Sequence, residues 1–263
     1  MGRPKVAVLV GPTAVGKTAV ALHLAQKLGA EIVNADSLQV YRELDIGTAK
    51  PTPEERALVR HHLVDIVAPD EAYDAARYMR EAREVIRELE ARGVPPLVVG
   101  GTGLYIRALL QGLFPEGGPF PDIRERLREE MCLQGLGALY ERLKQVDPET
   151  ASRLKAGDTY RILRALEVVE GTGRPWSAYL AEHRFRDNPY DTIKLGLTMP
   201  REELYACIDR RVDQMLAAGW LEEVERLISR YDPTLKPLQS IGYRHLIAYL
   251  QGRAGWEDTV AQI

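Results

Sequence analysis

Cysteine is nearly missing from this chain: Cys132 and Cys207 are the only two among 263 residues. So few argue against a disulfide framework or a zinc site. Both fall in helix-like stretches, which reads as reduced thiols in the core of a cytosolic protein. Positive charge is not in excess either. A formal net charge of −3 counts against a protein that holds nucleic acid by bulk electrostatics, so any such binding has to be local. No apolar run is long enough to cross a bilayer, and MGRPK leads straight into the first strand with no signal-peptide pattern. Internal repeats and low-complexity tracts are lacking as well. What is present is an ordinary globular balance, 45% hydrophobic and 28% charged residues, enough for one large domain or a core with a modest insertion.

Three apolar, β-branched segments, residues 6–10, 31–34 and 96–99, read as buried parallel strands. Amphipathic helical stretches separate them, one over 73–93 with apolar positions at Ala76, Met79, Val85, Ile86 and Leu89. Alternation of this kind predicts an α/β fold: a parallel sheet flanked by helices, with ligands at the carboxyl ends of the strands. The run FPEGGPFP at 114–121 cannot continue a helix or strand and marks a boundary. Beyond it the pattern turns helical and heavily charged, with helices expected over 122–134, 138–145 and 159–170. Acidic and basic residues balance there. At 192–199 an alternation of Ile193, Leu195, Leu197 and Met199 predicts a return to the sheet, followed by helices over 201–218 and 221–230 and a last one near Ile241. The expected organisation is a core over 1–119, a helical insertion domain over 120–188 and the rest of the core over 189–263.

The strand at 6–10 feeds into Gly11, Pro12, Thr13, Ala14, Val15, Gly16, Lys17 and Thr18, and then into a helix. This is G-x-x-x-x-G-K-T in the setting that it requires. Successive backbone N–H groups of such a loop converge on an anion, and the helix N-terminus adds positive potential. Lys17 would reach the outer phosphates, and the Thr18 hydroxyl is the candidate ligand for Mg²⁺. A P-loop NTPase-like core that binds a polyphosphate follows; kinase, ATPase and GTPase chemistry all remain open.

Three further clusters narrow the choice. NADSLQVY follows the second strand and points the Asp36 carboxylate into the same crevice, although an Asp-Ser pair also commonly caps a turn or helix. VVGGTGLY ends the third strand with glycines and Thr102 where an ordinary triphosphatase places an acidic metal ligand. A tight strand-to-helix turn is the plainer reading. QSIGYR, late in the chain, sets a basic residue beside an aromatic one and a glycine, which suits nucleic acid but also suits a helix start. The pair His61-His62 lacks a suitably spaced partner for a metal and reads as structural.

Together these stretches resemble the tRNA dimethylallyltransferase (tRNA isopentenyltransferase) family. GPTAVGKT, NADSLQVYRELDIGTAKPT, HHLVDI, YDAARYMREA, VVGGTGLYI, YRILRALEV and SIGYR occur in family order from residue 11 to 244. The resemblance implies transfer of a five-carbon dimethylallyl group from dimethylallyl diphosphate to N6 of the adenosine beside the anticodon, position 37, in tRNAs that read codons beginning with U. Pyrophosphate leaves, held by the P-loop and Mg²⁺. It implies catalytic roles for Asp36 as base, for Thr102, and for Arg211 directed at the diphosphate. It places contacts with the tRNA anticodon stem-loop at Asp36, Ser37, Leu38, Gln39, Thr102 and Arg124. Further contacts fall at Tyr160, Arg161, Ile162, Leu163 and Arg164, and at Gln239, Ser240, Ile241, Gly242, Tyr243 and Arg244. Arg161 and Arg164 are three apart and would share a helix face. A cytoplasmic monomer with no membrane association is expected. Family members usually continue past Ile263 with a basic stretch, so the closing WEDTVAQI is expected to open a helix in a chain cut short or followed by a tail.

The nearest rival is a P-loop small-molecule kinase, which explains residues 1–34 equally well but leaves DSLQVYRELDIGTAKP and GGTGLY without a purpose. Prenyl transfer to free AMP or ADP would need no long helical insertion. A nucleic-acid-binding ATPase fits neither the charge balance nor the missing acidic strand end.

Overall fold

The computed structural model describes residues 3–113, 120–183 and 187–263. They form two compact units, one running to Leu110 and resuming at Asn188, the other spanning Gln111–Asp187. Residues 114–119 of the expected boundary lie outside the described residues.

In the first unit, β1 (Lys5–Val10), α1 (Lys17–Leu28), β2 (Glu31–Asn34), α2 (Pro53–Leu58), β3 (His61–His62), α3 (Ala75–Ala91), β4 (Pro96–Gly100) and α4 (Gly103–Gln111) follow in order. With β5 (Asp191–Gly196) as its last strand, the five-stranded sheet, ordered β3-β2-β4-β1-β5, is parallel throughout, with Val8 opposite Val98 and Ile32 opposite Leu97. Alternation of side chains gives each face its own core. Val6, Val8, Val33 and Val98 belong to the larger one, with Tyr78, Ala82, Ile86 and Leu89 of α3. Leu9, Ile32 and Leu97 belong to the smaller, with Ala21 and Ala25 of α1. Asp74 caps α3 by accepting the Arg77 N–H at 2.8 Å, which is why that helix starts two residues later than its apolar pattern suggests.

The second unit is helical: α5 (Pro121–Val146), α6 (Pro148–Arg153), α7 (Thr159–Thr172) and α8 (Trp176–His183). α5 is broken at Gly135, whose φ of 81° and ψ of 157° no helix accommodates, so two helices flank it where the sequence pattern had two. Leu127, Leu139, Leu143, Ile162 and Leu166 form the core of this unit. Glu167 is fully buried among them; it accepts the Phe120 N–H at 2.9 Å, Arg124 at 2.6 Å and Arg164 at 2.8 Å. Burial alone would raise its pKa, but these donors outweigh burial and hold it below the usual glutamate range. Its contribution to stability is therefore present above the ordinary glutamate pKa and lost as pH falls through the lowered one. Glu167→Ala is expected to cost about 3 kcal/mol in urea unfolding of the full chain at neutral pH, and less in acid.

The chain then re-enters the sheet through β5 (Asp191–Gly196), continues through α9 (Arg201–Ala217) and α10 (Trp220–Arg230), makes a 3₁₀ turn at Lys236–Gln239, and ends with α11 (Tyr243–Leu250) and α12 (Trp256–Gln262). One expectation needs correction. Cys132 is exposed and Cys207 only half-buried, so these free thiols are not core residues; a helical setting does not say which face a side chain takes. Ile193 and Leu195 alternate as a strand should, yet both are exposed, because β5 is an edge strand. The edge strand β3 is two residues long, too short to leave a periodic pattern. It carries the His61-His62 pair: His61 Nδ1 lies 2.8 Å from the Val59 carbonyl, and His62 Nε2 lies 2.6 Å from Glu31, a carboxylate shared with Arg92.

Candidate active site

Three parallel strands end side by side, and each hands over to a loop that carries one of the motifs. β1 leads into the P-loop. α1 starts at Lys17 with Gly16 as its N-cap at φ 90°, among the described residues no side chain bonds the open amides of its first turn, and no acidic residue stands in that turn. The loop thus presents unclaimed N–H donors at the positive end of a helix. Gly11 has no room for a side chain: a Cβ would sit 2.9 Å from Val15 and 3.0 Å from the Leu197 carbonyl. The Lys17 ammonium folds back onto the carbonyls of Gly11 at 2.9 Å and Pro12 at 2.7 Å.

β2 and β4 are laced together just beyond their ends. Ala35 N–H donates to Val99 at 2.7 Å, Thr102 N–H to Ala35 at 3.1 Å, and Ser37 N–H to Thr102 Oγ1 at 3.0 Å. A Cβ on Gly100 would lie 2.2 Å from the Ala35 carbonyl oxygen, so glycine is what allows this approach. Thr102 therefore accepts one hydrogen bond and keeps its hydroxyl proton to donate. Asp36 takes the capping role with one oxygen and, among the described residues, leaves the other without a partner. Oδ1 caps the turn by accepting Leu38 N–H at 2.8 Å and Gln39 N–H at 3.3 Å, while Oδ2 takes no hydrogen bond among the described residues.

Arg211, on α9, completes the group. It is half-buried and makes no hydrogen bond or ion pair among the described residues. Burial lowers its pKa and the Asp36 charge opposes that shift. Burial likewise lowers the pKa of Lys17, the Asp36 charge raises it and the Arg211 charge lowers it further. Two partly desolvated cations thus share a single carboxylate, a surplus of positive charge that a polyanion would neutralise. The Thr18 hydroxyl, in the first turn of α1, is an oxygen donor of the kind that a hard ion such as Mg²⁺ takes.

The remaining residues named from the sequence divide by burial. Tyr160 is 71% exposed, and the Arg161 side chain is 69% exposed and pairs with Asp158. Ile162 and Leu163 are core residues of the helical unit, and Arg124 and Arg164 are engaged with Glu167, so Arg161 and Arg164 do not form a matched pair of open cations. In the 239–244 stretch Ile241 and Arg244 face solvent. Gln239 donates to the Pro233 carbonyl at 2.7 Å, Ser240 to Pro237 at 2.6 Å, and Gly242 has φ 85° against Trp220. Tyr243 is fully buried, with its hydroxyl donating to Glu223 at 2.6 Å. Glu223 and Trp220 had no sequence signal: each is one residue of an amphipathic helix, and the turn at 45–47 that they touch lies some 175 residues away.

Fold and site together define a P-loop α/β protein with a helical insertion. The sequence profile of the IPP transferase family matches residues 39–263, a span that excludes the P-loop. The chain is 52% identical over 259 residues to a tRNA dimethylallyltransferase of Syntrophobacter fumaroxidans, covering 98% of this chain and 76% of that protein. It belongs to the IPP transferase family, the tRNA dimethylallyltransferases. Among solved structures, the full-length tRNA isopentenylpyrophosphate transferase of Bacillus halodurans aligns at TM-score 0.71 and 37% identity, over 99% of this chain and 82% of that one. A eukaryotic dimethylallyltransferase acting on tRNA aligns at TM-score 0.82 and 30% identity, over 98% and 65%.

Proposed function

We infer that this chain transfers the dimethylallyl group of dimethylallyl diphosphate to N6 of adenosine 37 in tRNAs that read codons beginning with U. The products are N6-(dimethylallyl)adenosine and pyrophosphate. The observation that carries this reading is the Asp36 carboxylate, one oxygen of which takes no hydrogen bond among the described residues, coupled electrostatically to two half-buried cations, Lys17 and Arg211.

The residues divide the work. The open amides of the P-loop, Lys17 and Arg211 take up the negative charge that grows on the diphosphate as the allylic C–O bond breaks and its electron pair goes to oxygen. The lone pair of N6 closes the new C–N bond, and the N6 proton passes to Asp36 Oδ2. The Thr102 hydroxyl proton is placed to bond the base or a phosphate oxygen and so keep the two reactants aligned. Mg²⁺ would be held by Thr18 and the diphosphate oxygens, and when bound it neutralises the same departing charge. An adenosine in an RNA loop can be unstacked at modest cost and drawn into such a pocket. Exposed Tyr160, Arg161, Ile241 and Arg244 are the surface groups suited to RNA. Among the described residues no helix is long and apolar enough to cross a membrane; a cytoplasmic enzyme acting as a monomer agrees with the family resemblance.

Incubation with dimethylallyl diphosphate, Mg²⁺ and an unmodified tRNA of this class, followed by nucleoside mass analysis, is expected to yield the prenylated adenosine. Phosphoryl transfer from labelled ATP to a small acceptor, with no prenylated nucleoside, would overturn the reading.

A further inference from the structure

Glu223 is a buried carboxylate that the transfer chemistry above does not use. It is 2% exposed, and among the described residues it makes no ion pair with a lysine or arginine. What it holds is backbone. Oε2 accepts the N–H groups of Asp45 at 3.0 Å and Ile46 at 2.7 Å; Oε1 accepts the Gly47 N–H at 3.3 Å and the Tyr243 hydroxyl at 2.6 Å. Three consecutive amides around one internal anion form a nest, and a neutral packing residue would leave all three without acceptors. Trp220 closes the arrangement from one side. A Cβ on Gly47 would fall 2.0 Å from its indole nitrogen, and one on Gly242 2.1 Å from its ring. The glycines of DIGT and SIGYR are thus accounted for by one tryptophan.

The turn fixed in this way makes two further bonds that reach the site. The carbonyls of Thr48 and Ala49 receive the Gln39 side-chain amide at 3.0 and 3.1 Å. Both N–H groups of that carboxamide are spent, so the group left for a ligand is its oxygen, an acceptor. Gln39 lies three residues after Asp36, and its backbone N–H is one of the two that Asp36 Oδ1 accepts. We propose that Glu223 is a positioning residue for base selection: through the 45–49 turn it locks the Gln39 carboxamide with the oxygen forward, as an acceptor for the exocyclic amino group of the target base. Such an acceptor favours adenine and repels a purine whose sixth position carries a carbonyl. The inference rests on the reading that residues 36–39 receive the base.

The test compares binding of two anticodon stem-loops, identical except for adenosine or inosine at the target position, to the wild-type chain and to Glu223→Gln. The amide of the variant turns an N–H toward backbone N–H groups and loosens the turn. Its preference for adenosine over inosine is expected to fall about tenfold, with dimethylallyl diphosphate binding unchanged. Gln39→Leu should lose the same preference, and the double variant should lose no more than either single one. Glu223→Asp, which keeps the charge, should recover part of it. Tyr243→Phe, which removes one of the four bonds and keeps the packing, serves if Glu223→Gln does not fold, and should shift the preference in the same direction. A lower melting temperature with the adenosine preference intact would overturn the proposal and leave Glu223 as a purely structural residue. Failure of the wild-type chain to prefer adenosine, or to prenylate it, would count against the reading of residues 36–39 instead.

Discussion

Asp36→Asn is expected to slow prenyl transfer about a thousandfold while the donor diphosphate binds at least as tightly as before. The two oxygens of Asp36 explain why asparagine is the informative replacement. Oδ1 caps the Leu38 and Gln39 amides, and an asparagine carbonyl can go on doing so. Oδ2 has no partner among the described residues, and the amide nitrogen that replaces it cannot accept a proton. The variant therefore keeps the turn and loses the base. Loss of the carboxylate also removes the one negative charge that Lys17 and Arg211 share, so the pocket becomes more positive and an anionic donor gains. Asp36→Ala should abolish transfer too, but it loosens the turn as well and cannot separate the two roles. Single-turnover transfer and equilibrium binding of dimethylallyl diphosphate, measured on the same preparation, give the two numbers. Transfer by Asp36→Asn at close to the wild-type rate would remove Asp36 from the chemistry.

How far the sequence foretold this arrangement depends on the range of the interactions. The P-loop was legible because strand, loop and helix are contiguous, and a single short segment carries its chemistry. The break in α5 was legible because Gly135 and Gly137 interrupt an otherwise regular helical pattern within a few residues. The strands at 6–10, 31–34 and 96–99 showed as β-branched runs buried on both faces. What stayed hidden was contact between distant segments. Nothing in WLEEVERL marks Glu223 as an anchor for DIGT, since an acidic residue on an amphipathic helix is ordinarily a solvated one. Tyr243 was grouped with RNA contacts because an aromatic beside an arginine suits that role, yet its neighbours Trp220 and Glu223 draw it inward. Arg124 and Arg164 show the same limit: local charge pattern cannot reveal that Glu167 is buried between them. The exposure of Ile193 and Leu195 depends on strand order, which no local pattern records.

Lys17→Ala should weaken dimethylallyl diphosphate binding and slow turnover together, by about ten- to a hundredfold each. Among the described residues the ammonium of the free protein has the carbonyls of Gly11 and Pro12 as acceptors, and a methyl group abolishes its reach to the phosphates. Since charge accumulates on the diphosphate as the C–O bond breaks, the interaction is stronger in the transition state than in the bound ground state, and both constants move. The pH dependence supplies an internal check. Burial, with the Arg211 charge adding to it and the Asp36 charge opposing it, lowers the Lys17 pKa in the free protein. A bound polyanion raises it again. Between the two values, binding takes up a proton, so donor affinity falls as pH climbs through the free-protein value, earlier than for an ordinary lysine. Lys17→Arg keeps its charge to higher pH and should lose that alkaline decline, while Lys17→Ala should be weak at every pH without it. Persistence of the decline in both variants would assign the titration to another group and leave Lys17 a spectator in donor binding.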